Sequence, residues 1–126
     1  MSVLGIGVDI INISRIKEII DRSGSIYLQR VFTPGEQKRA VEHGRPMIYY
    51  AKTFAGKEAV FKTFGLGWDT GIEWTDIDIS EGRNGEPLVS LSGRLAELSL
   101  ERGASRVLLS LSYDGDNALA MAMLMA

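Results

Sequence analysis

The alternation of apolar and polar positions predicts a β-strand near the start of the chain. In residues 3–10, aliphatic side chains occupy alternate positions and would line one face of the strand. The opposite face carries Gly5, Gly7 and Asp9. Because two glycines leave this face flat, another backbone or a helix can approach it closely, and Asp9 would stand at the end of that flat surface.

Two short helices are predicted next. The first spans about residues 14–22, with isoleucines on its inner face and Asn12 or Ser14 as its cap. The second begins at residues 33–36 (Thr-Pro-Gly-Glu), where the threonine caps the helix and the glutamate closes a capping box. We expect this second helix to be polar and to end near residue 43.

The longest helix is predicted over residues 46–65, with an apolar stripe at the helical period. Glu58 and Lys62 fall in the middle of this stripe, whereas Lys52 and Lys57 lie off it, where we expect solvent. A carboxylate on a packing face must find a cation or hydrogen-bond donors, or it becomes protonated. The partner of Glu58 is therefore the main question that the sequence raises.

The second half of the chain is predicted to be richer in strands. Residues 73–80 and 87–91 would form a hairpin, and Asn84-Gly85 is a residue pair that tight hairpin turns prefer. A helix capped by Ser92 would follow and end at Gly103.

Two further strands are predicted over residues 106–113 and 118–125. The second is apolar on both faces, so it lies either at the centre of the sheet or against another subunit. We therefore predict one α+β domain over residues 1–126, with a largely antiparallel sheet against which the long helix and the shorter helices pack.

Composition excludes several kinds of function. The 126 residues include no cysteine, so thiolate catalysis, disulfides and zinc–thiolate sites are absent. The N-terminus does not resemble a signal peptide, and the apolar stretch at residues 118–126 is shorter than the roughly 20 residues of a spanning helix. We therefore expect a cytoplasmic protein that does not enter a membrane.

The charge is divided unevenly along the chain. Residues 1–62 carry ten Lys or Arg against six Asp or Glu, whereas residues 63–126 carry four against ten. The basic half could face an acidic partner or a phosphate-rich ligand, or the asymmetry could reflect solvated surfaces alone. The overall charge of −2 argues against non-specific binding to nucleic acid.

Carboxylates and a metal ion are the chemistry that remains. The single histidine, His43, lies in a predicted polar loop, where a surface role is expected rather than a role as catalytic base. Asp9 and Glu58 suit Mg²⁺, which takes one or two protein carboxylates and completes its shell with water and phosphate oxygens. Lys62, one turn beyond Glu58, could contact a phosphate.

Each of these residues also has a structural interpretation. Glu58 and Lys62 could form an ion pair along the helix, but such a pair contributes only about 0.3–0.5 kcal/mol at a surface. Desolvating both charges on a packing face costs roughly several kcal/mol per ion. Asp9 could instead cap the helix that follows it.

Several motifs resemble those of the holo-acyl-carrier-protein synthases, the small type of phosphopantetheinyl transferase. The resemblance covers nearly the whole chain, and the third motif is the most specific. In order, the motifs are Gly5–Ile11 with Ile13 and Arg15-Ile16; Phe32-Thr33 with Glu36; Phe54-Ala55 with Lys57-Glu58-Ala59, Lys62 and Gly65; Asn84-Gly85-Glu86-Pro87; and Leu109-Ser110-Leu111-Ser112.

The resemblance implies an activity and a set of catalytic residues. Members of this family move phosphopantetheine from coenzyme A to a serine hydroxyl of apo-acyl carrier protein and release adenosine bisphosphate. By position, Asp9 and Glu58 would hold Mg²⁺ against the pyrophosphate, and Lys62 would neutralise charge on the leaving diphosphate. The serine proton would pass to Glu58 or to a water molecule on the metal. Transfer of this kind depends mainly on positioning and charge neutralisation.

The resemblance also implies a homotrimer with active sites between subunits. The carrier protein would dock on Arg15 and Arg22 of the first helix. The residues expected to contact coenzyme A are Lys62, Gly65, Asn84, Gly85, Pro87 and Tyr113.

The chain departs from the family pattern at two positions. Asn12 stands where many members have glutamate, so a third carboxylate near the metal is absent. Tyr113 stands where many have a histidine that contacts a coenzyme A phosphate. Affinity for coenzyme A would then be weaker, or Arg45 or Lys52 would compensate.

Two alternatives to an enzyme remain. The first is a non-catalytic module that binds a carrier protein or coenzyme A, and the second is a structural trimerisation domain. Retention of Asp9, Glu58 and Lys62 argues against both. Which carrier is modified, and whether acylated coenzyme A is accepted, do not follow from the sequence.

Overall fold

The computed structural model describes residues 2–65 and 71–126. Over these residues the chain forms five α-helices, five strands and one short 3₁₀ helix. In chain order they are β1 (Val3–Asn12), α1 (Ile13–Ser23), α2 (Ser25–Val31), α3 (Pro34–Glu42), α4 (Pro46–Lys62), the 3₁₀ helix (Trp74–Asp76), β2 (Ile77–Glu81), β3 (Pro87–Leu91), α5 (Gly93–Glu101), β4 (Arg106–Asp114) and β5 (Asn117–Met125).

The strands form two antiparallel sheets, which confirms the predicted α+β class. The larger sheet has the order β1-β5-β4, and the smaller one is the β2–β3 hairpin. The last strand is central in its sheet, as its two apolar faces indicated. Only one of those faces is covered, however. Leu119 and Met121 on the other face are exposed.

The glycines of β1 allow α4 to pack directly on the sheet. A Cβ atom on Gly5 would collide with the carbonyl oxygen of Thr63, and one on Gly7 would collide with that of Ala59. No residue with a side chain fits at either position without moving the helix. The expected close approach to the glycine face is therefore confirmed, and it brings the C-terminal half of α4 over β1.

The prediction that Lys57 faces solvent is wrong. Lys57 is fully buried, because α4 is covered by the sheet on one side and by α3 and β2 on the other. Lys52 is half-buried, and Lys62, which was predicted to lie on the packing stripe, is exposed. Burial on nearly all sides means that a single apolar stripe does not describe this helix.

Helix boundaries near the N-terminus agree with the prediction except at α2. Asn12 caps α1 by accepting a hydrogen bond from the Arg15 amide at 3.0 Å. The Thr33–Glu36 capping box is present at the start of α3. Helix α2, which has seven residues and no side-chain cap, was not predicted.

Three predictions in the second half need correction. The first residues of the predicted 73–80 strand form the 3₁₀ helix instead. The hairpin loop is longer than a two-residue turn: five residues, 82–86, separate β2 from β3, and within them the Gly85 amide donates to the Gly82 carbonyl oxygen at 3.0 Å, which closes a β-turn that includes Asn84. Ser92 precedes α5 but makes no side-chain cap, and the carboxylate of Asp76 accepts a hydrogen bond from the Leu95 amide at 3.4 Å instead.

Within residues 2–65 and 71–126, none of the helices combines the length and the apolar character that crossing a bilayer requires.

Candidate active site

Asp9 and Lys62 meet where α4 crosses β1. Asp9 Oδ1 lies 2.9 Å from Lys62 Nζ, which also donates a hydrogen bond to the Val8 carbonyl oxygen at 3.1 Å. The second oxygen, Asp9 Oδ2, is buried and has no hydrogen-bond partner among the described residues. The ion pair therefore leaves half of a buried carboxylate unsatisfied, which is costly in a folded protein.

Glu58 lies one turn before Lys62 and is half-buried. Burial raises the pKa of the Glu58 carboxyl, the negative charge of Asp9 raises it further, and Lys62 lowers it. Lys62 forms its ion pair across to β1 with Asp9 rather than along the helix with Glu58. An intrahelical ion pair therefore does not account for the position of Glu58.

Asp9 does not cap the helix that follows it. β1 continues three residues beyond it, and Asn12 supplies the cap of α1. The structural interpretation of Asp9 as a cap is therefore wrong, and Asp9 is free to act with Glu58.

The two carboxylates suit a divalent cation that completes its shell with other ligands. Asp9 and Glu58 repel one another, and Asp9 offers an unsatisfied buried oxygen. A cation between them would relieve both costs, and Mg²⁺ commonly takes only one or two protein carboxylates. Among the described residues no group of three or more acidic, histidine or cysteine side chains could hold a metal by itself.

The residues predicted to contact the nucleotide surround a separate cleft. It lies between the first half of α4 and the β2–β3 hairpin, and its lining includes Lys52, Gly85 and Pro87. Asn84 belongs to the same hairpin loop, where its amide donates to Glu86 Oε1 at 3.0 Å. Lys52 precedes Glu58 by six residues, about 9 Å along the helix axis, so one extended ligand could contact both regions.

Tyr113 holds two basic residues beside this cleft. Arg45 donates a hydrogen bond to the Tyr113 hydroxyl at 3.0 Å, and Lys52 Nζ lies 5.7 Å from the centroid of its ring. Both basic residues that were expected to compensate for the missing histidine therefore contact Tyr113 itself. The result is a cationic cluster around Tyr113.

The remaining predicted residues lie apart from these two groups. Gly65 follows Lys62 by three residues and has a positive φ of 65°, which ends the turn after α4. Arg15 and Arg22 are exposed on α1, the helix whose buried face carries Ile13 and Ile16.

The pattern of the sequence did not reveal a buried ion pair next to the site. Lys57 Nζ contacts Glu36 Oε1 and donates hydrogen bonds to the carbonyl oxygens of Ile77 and Trp74. Glu36 Oε2 accepts from the Ile79 amide at 2.7 Å. Burial raises the pKa of Glu36 and lowers that of Lys57, while their mutual attraction opposes both shifts.

The chain is similar to known proteins over nearly its whole length. The family model of the 4'-phosphopantetheinyl transferase superfamily matches residues 5–122. The holo-[acyl-carrier-protein] synthase of Desulforudis audaxviator is 43% identical over 121 residues, covering 96% of this chain and 92% of that protein. That of Trichlorobacter lovleyi is 40% identical over 124 residues and covers 98% of each.

Solved structures show the same fold. The holo-[acyl-carrier-protein] synthase of Neisseria meningitidis has a TM-score of 0.92 at 33% identity, covering 99% of this chain and 100% of that one. The Helicobacter pylori synthase in complex with coenzyme A has a TM-score of 0.83 at 28% identity, covering 94% and 98%. The chain therefore belongs to the 4'-phosphopantetheinyl transferase superfamily and, within it, to the holo-[acyl-carrier-protein] synthase family.

Proposed function

We propose that this protein transfers the 4'-phosphopantetheine group of coenzyme A to a serine hydroxyl of an apo-acyl carrier protein, releasing adenosine 3',5'-bisphosphate. The family and its coenzyme A complexes support this activity. The observation that carries the proposal is the convergence of Asp9, Glu58 and Lys62 where α4 crosses β1. A non-catalytic binding module or trimerisation domain would have no need of two mutually repelling carboxylates.

Asp9 and Glu58 would hold Mg²⁺, which when bound supplies positive charge to the pyrophosphate. Lys62 has three N–H donors, of which two are directed to Asp9 and to the Val8 carbonyl oxygen. The third is available for a phosphate oxygen of the leaving bisphosphate. This arrangement also keeps the ammonium group beside the site before substrate binds.

In the transfer, the serine oxygen bonds to the β-phosphorus while the bond from that phosphorus to the leaving bisphosphate breaks. The serine proton passes to Glu58 or to a water molecule, and the negative charge that develops on the leaving group is met by Lys62. No protein nucleophile is required, in keeping with a chain that has no cysteine.

Coenzyme A would lie along α4 with its nucleotide end in the cleft of Gly85 and Pro87. Arg45 and Lys52 would bind the phosphate at that end, both held in place by Tyr113. Asn84 and Gly65 complete the proposed contacts through their loops. Positive charge is thus retained although the histidine of the family pattern is absent.

The proposed assembly is a homotrimer. The face of the larger sheet opposite α4 is apolar and exposed: Ile6, Val8 and Ile10 of β1 are each more than 60% accessible, and Met121 of β5 lies beside them. An apolar patch of this kind usually marks an interface. Other copies of the chain would cover it, and the active sites would then lie between subunits.

The carrier protein would dock on α1 through Arg15 and Arg22, which are both exposed. An acidic helix of the carrier matches this surface, and long-range attraction would speed the encounter. We place the enzyme in the cytoplasm, where coenzyme A and carrier proteins are both present.

Intact-mass spectrometry tests the proposed activity. An apo-acyl carrier protein is incubated with this protein, coenzyme A and Mg²⁺, and a parallel sample lacks coenzyme A. We expect the carrier to gain the mass of one phosphopantetheine group only in the complete mixture. An unchanged carrier mass, with a known synthase modifying the same carrier in parallel, would contradict the proposal.

A further inference from the structure

Two buried polar atoms have no hydrogen-bond partner among the described residues. One is Asp9 Oδ2, and the other is the hydroxyl of Tyr27. Buried polar groups in native proteins are nearly always paired, so each exception calls for a physical explanation. The proposed metal site explains the first of these atoms, and the second remains.

Tyr27 lies on α2 and packs toward the face of α4 that carries Glu58. Its ring centroid is 6.0 Å from that of Phe32 and 6.3 Å from that of Phe54. Phe54 precedes Glu58 by four residues, so the two side chains are neighbours on one face of α4. The aromatic contacts therefore place Tyr27 beside the turn of α4 that holds the carboxylate.

The direction of the pKa shift of Tyr27 agrees with this placement. Burial raises the pKa of Tyr27 to about 12, and the negative charge of Glu58 contributes to that rise. The same Glu58 carboxylate interacts with Asp9. The two unpaired buried atoms, Asp9 Oδ2 and the Tyr27 hydroxyl, therefore both belong to residues around the turn of α4 that carries Glu58.

We propose that Tyr27 is a positioning residue of the metal site, whose hydroxyl donates a hydrogen bond to the Glu58 carboxylate when Asp9 and Glu58 hold the cation. This inference rests on the proposed function. A carboxylate has two oxygens, and a donor to one of them directs the other toward the cation. Hydrogen-bond partners of this kind fix the orientation of a metal ligand and raise its effective affinity.

Packing alone does not account for a tyrosine at this position. A phenylalanine would make the same ring contacts with Phe32 and Phe54 without burying an unpaired hydroxyl. A purely structural role therefore predicts that Tyr27→Phe leaves stability unchanged or raises it and has no effect on metal affinity. The positioning role predicts the same effect of Tyr27→Phe on stability, but a lower affinity for the metal ion.

Binding of Mn²⁺ to the free protein separates these roles. The dissociation constant is measured by electron paramagnetic resonance for the wild type, Tyr27→Phe and the control Tyr50→Phe. Tyr50 is also buried and also contacts Phe32, at 4.7 Å between ring centroids, but its raised pKa comes from burial and from Tyr49 rather than from Glu58. Urea unfolding of each variant confirms that it is folded.

We expect Tyr27→Phe to weaken Mn²⁺ binding by about tenfold or more, and Tyr50→Phe to bind like the wild type. Equal affinity of Tyr27→Phe and wild type, or an equal loss in both variants, would overturn the inference and leave the proposed function intact. Absence of Mn²⁺ binding by the wild type would overturn the inference together with the metal part of the proposed function.

Discussion

Lys57 Nζ lies 2.7 Å from Glu36 Oε1, and neither side chain has any exposure to solvent. This ion pair links α3 to α4. Lys57 also donates hydrogen bonds to carbonyl oxygens of the 3₁₀ helix and of β2, and Glu36 accepts one from an amide of β2. Glu58 follows Lys57 directly, about 100° around the helix. Because the two residues are adjacent on one helix, fixing the side of α4 on which Lys57 lies also fixes the side on which Glu58 lies.

Removing one partner of this pair should destabilise the protein strongly. Lys57→Met leaves the Glu36 carboxylate buried without its cation, which costs about 3–5 kcal/mol. The free energy of unfolding in urea measures the loss. The double variant Lys57→Met/Glu36→Leu leaves no charge unpaired and should recover part of this loss. It should stay below the wild type, because the Thr33 and Ile79 amides lose the carboxylate that accepts their hydrogen bonds. A loss below about 1 kcal/mol in the single variant would contradict this account of the core.

The stability of the metal-free protein should respond to the ionisation of Glu58. Because folding raises the pKa of Glu58, the folded state retains this proton as the pH rises above the unfolded value of 4.5, where the unfolded state loses it. The stabilisation that comes from this retained proton is therefore complete below pH 4.5 and is lost as the pH rises through the pKa of Glu58 in the folded state.

The variant Glu58→Gln has no ionisable group at this position, so it does not lose this stability as the pH rises. Relative to the wild type, the variant should gain stability as the pH rises above 4.5, as measured by urea unfolding with a chelator present. A stability difference that is independent of pH, or that changes in the opposite direction, would show that Glu58 is not desolvated beside Asp9.

The docking surface on α1 predicts a selective kinetic effect. Arg15→Glu should raise the KM for the carrier protein by about tenfold or more and leave the dissociation constant of coenzyme A nearly unchanged. Arg94→Glu reverses the charge of an exposed arginine on α5 and should alter neither quantity. Weaker binding of coenzyme A with an unchanged carrier KM would refute the docking assignment.

The cationic cluster around Tyr113 predicts recognition of one phosphate. Lys52→Met should weaken the binding of coenzyme A by about tenfold, since it removes a charge beside the cleft. Dephospho-coenzyme A lacks the phosphate at the nucleotide end, so its binding should be unaffected by the substitution. Calorimetry with both ligands makes the comparison. An equal loss for both would show that Lys52 contacts some other part of the ligand.

Much of the active site could be predicted from local sequence. Period-two alternation placed Asp9 on the glycine face of β1, and the close packing of α4 on Gly5 and Gly7 follows from the same pattern. The helical period singled out Glu58 and Lys62 as charges that needed an explanation. The inference about β1 succeeded because it depends on residues within one strand, whereas Lys62, which the helical period assigned to the packing stripe, is exposed.

Features that depend on distant segments could not be predicted in this way. Lys57 appeared to face solvent because the helical period does not show that α3 and β2 cover that side of α4. The cap of α5 was misassigned because its acceptor, Asp76, lies far from the helix in sequence. The short helix α2, which carries Tyr27, has no capping side chain and few residues on which to detect a period.

A comparison of phosphopantetheine transfer by the wild type and by Glu58→Gln tests whether Asp9 and Glu58 form a metal site. The variant keeps the shape of the side chain but removes the carboxylate that, with Asp9, would hold Mg²⁺. Glu97→Gln changes an exposed glutamate of α5 and serves as the control. Intact-mass spectrometry of the carrier follows the rate, with and without a chelator.

We expect Glu58→Gln or chelation to lower the rate by at least about a hundredfold, while Glu97→Gln transfers at the wild-type rate. Wild-type rates of transfer by Glu58→Gln, or in the presence of the chelator, would contradict the claim that Asp9 and Glu58 form a metal site that carries the reaction.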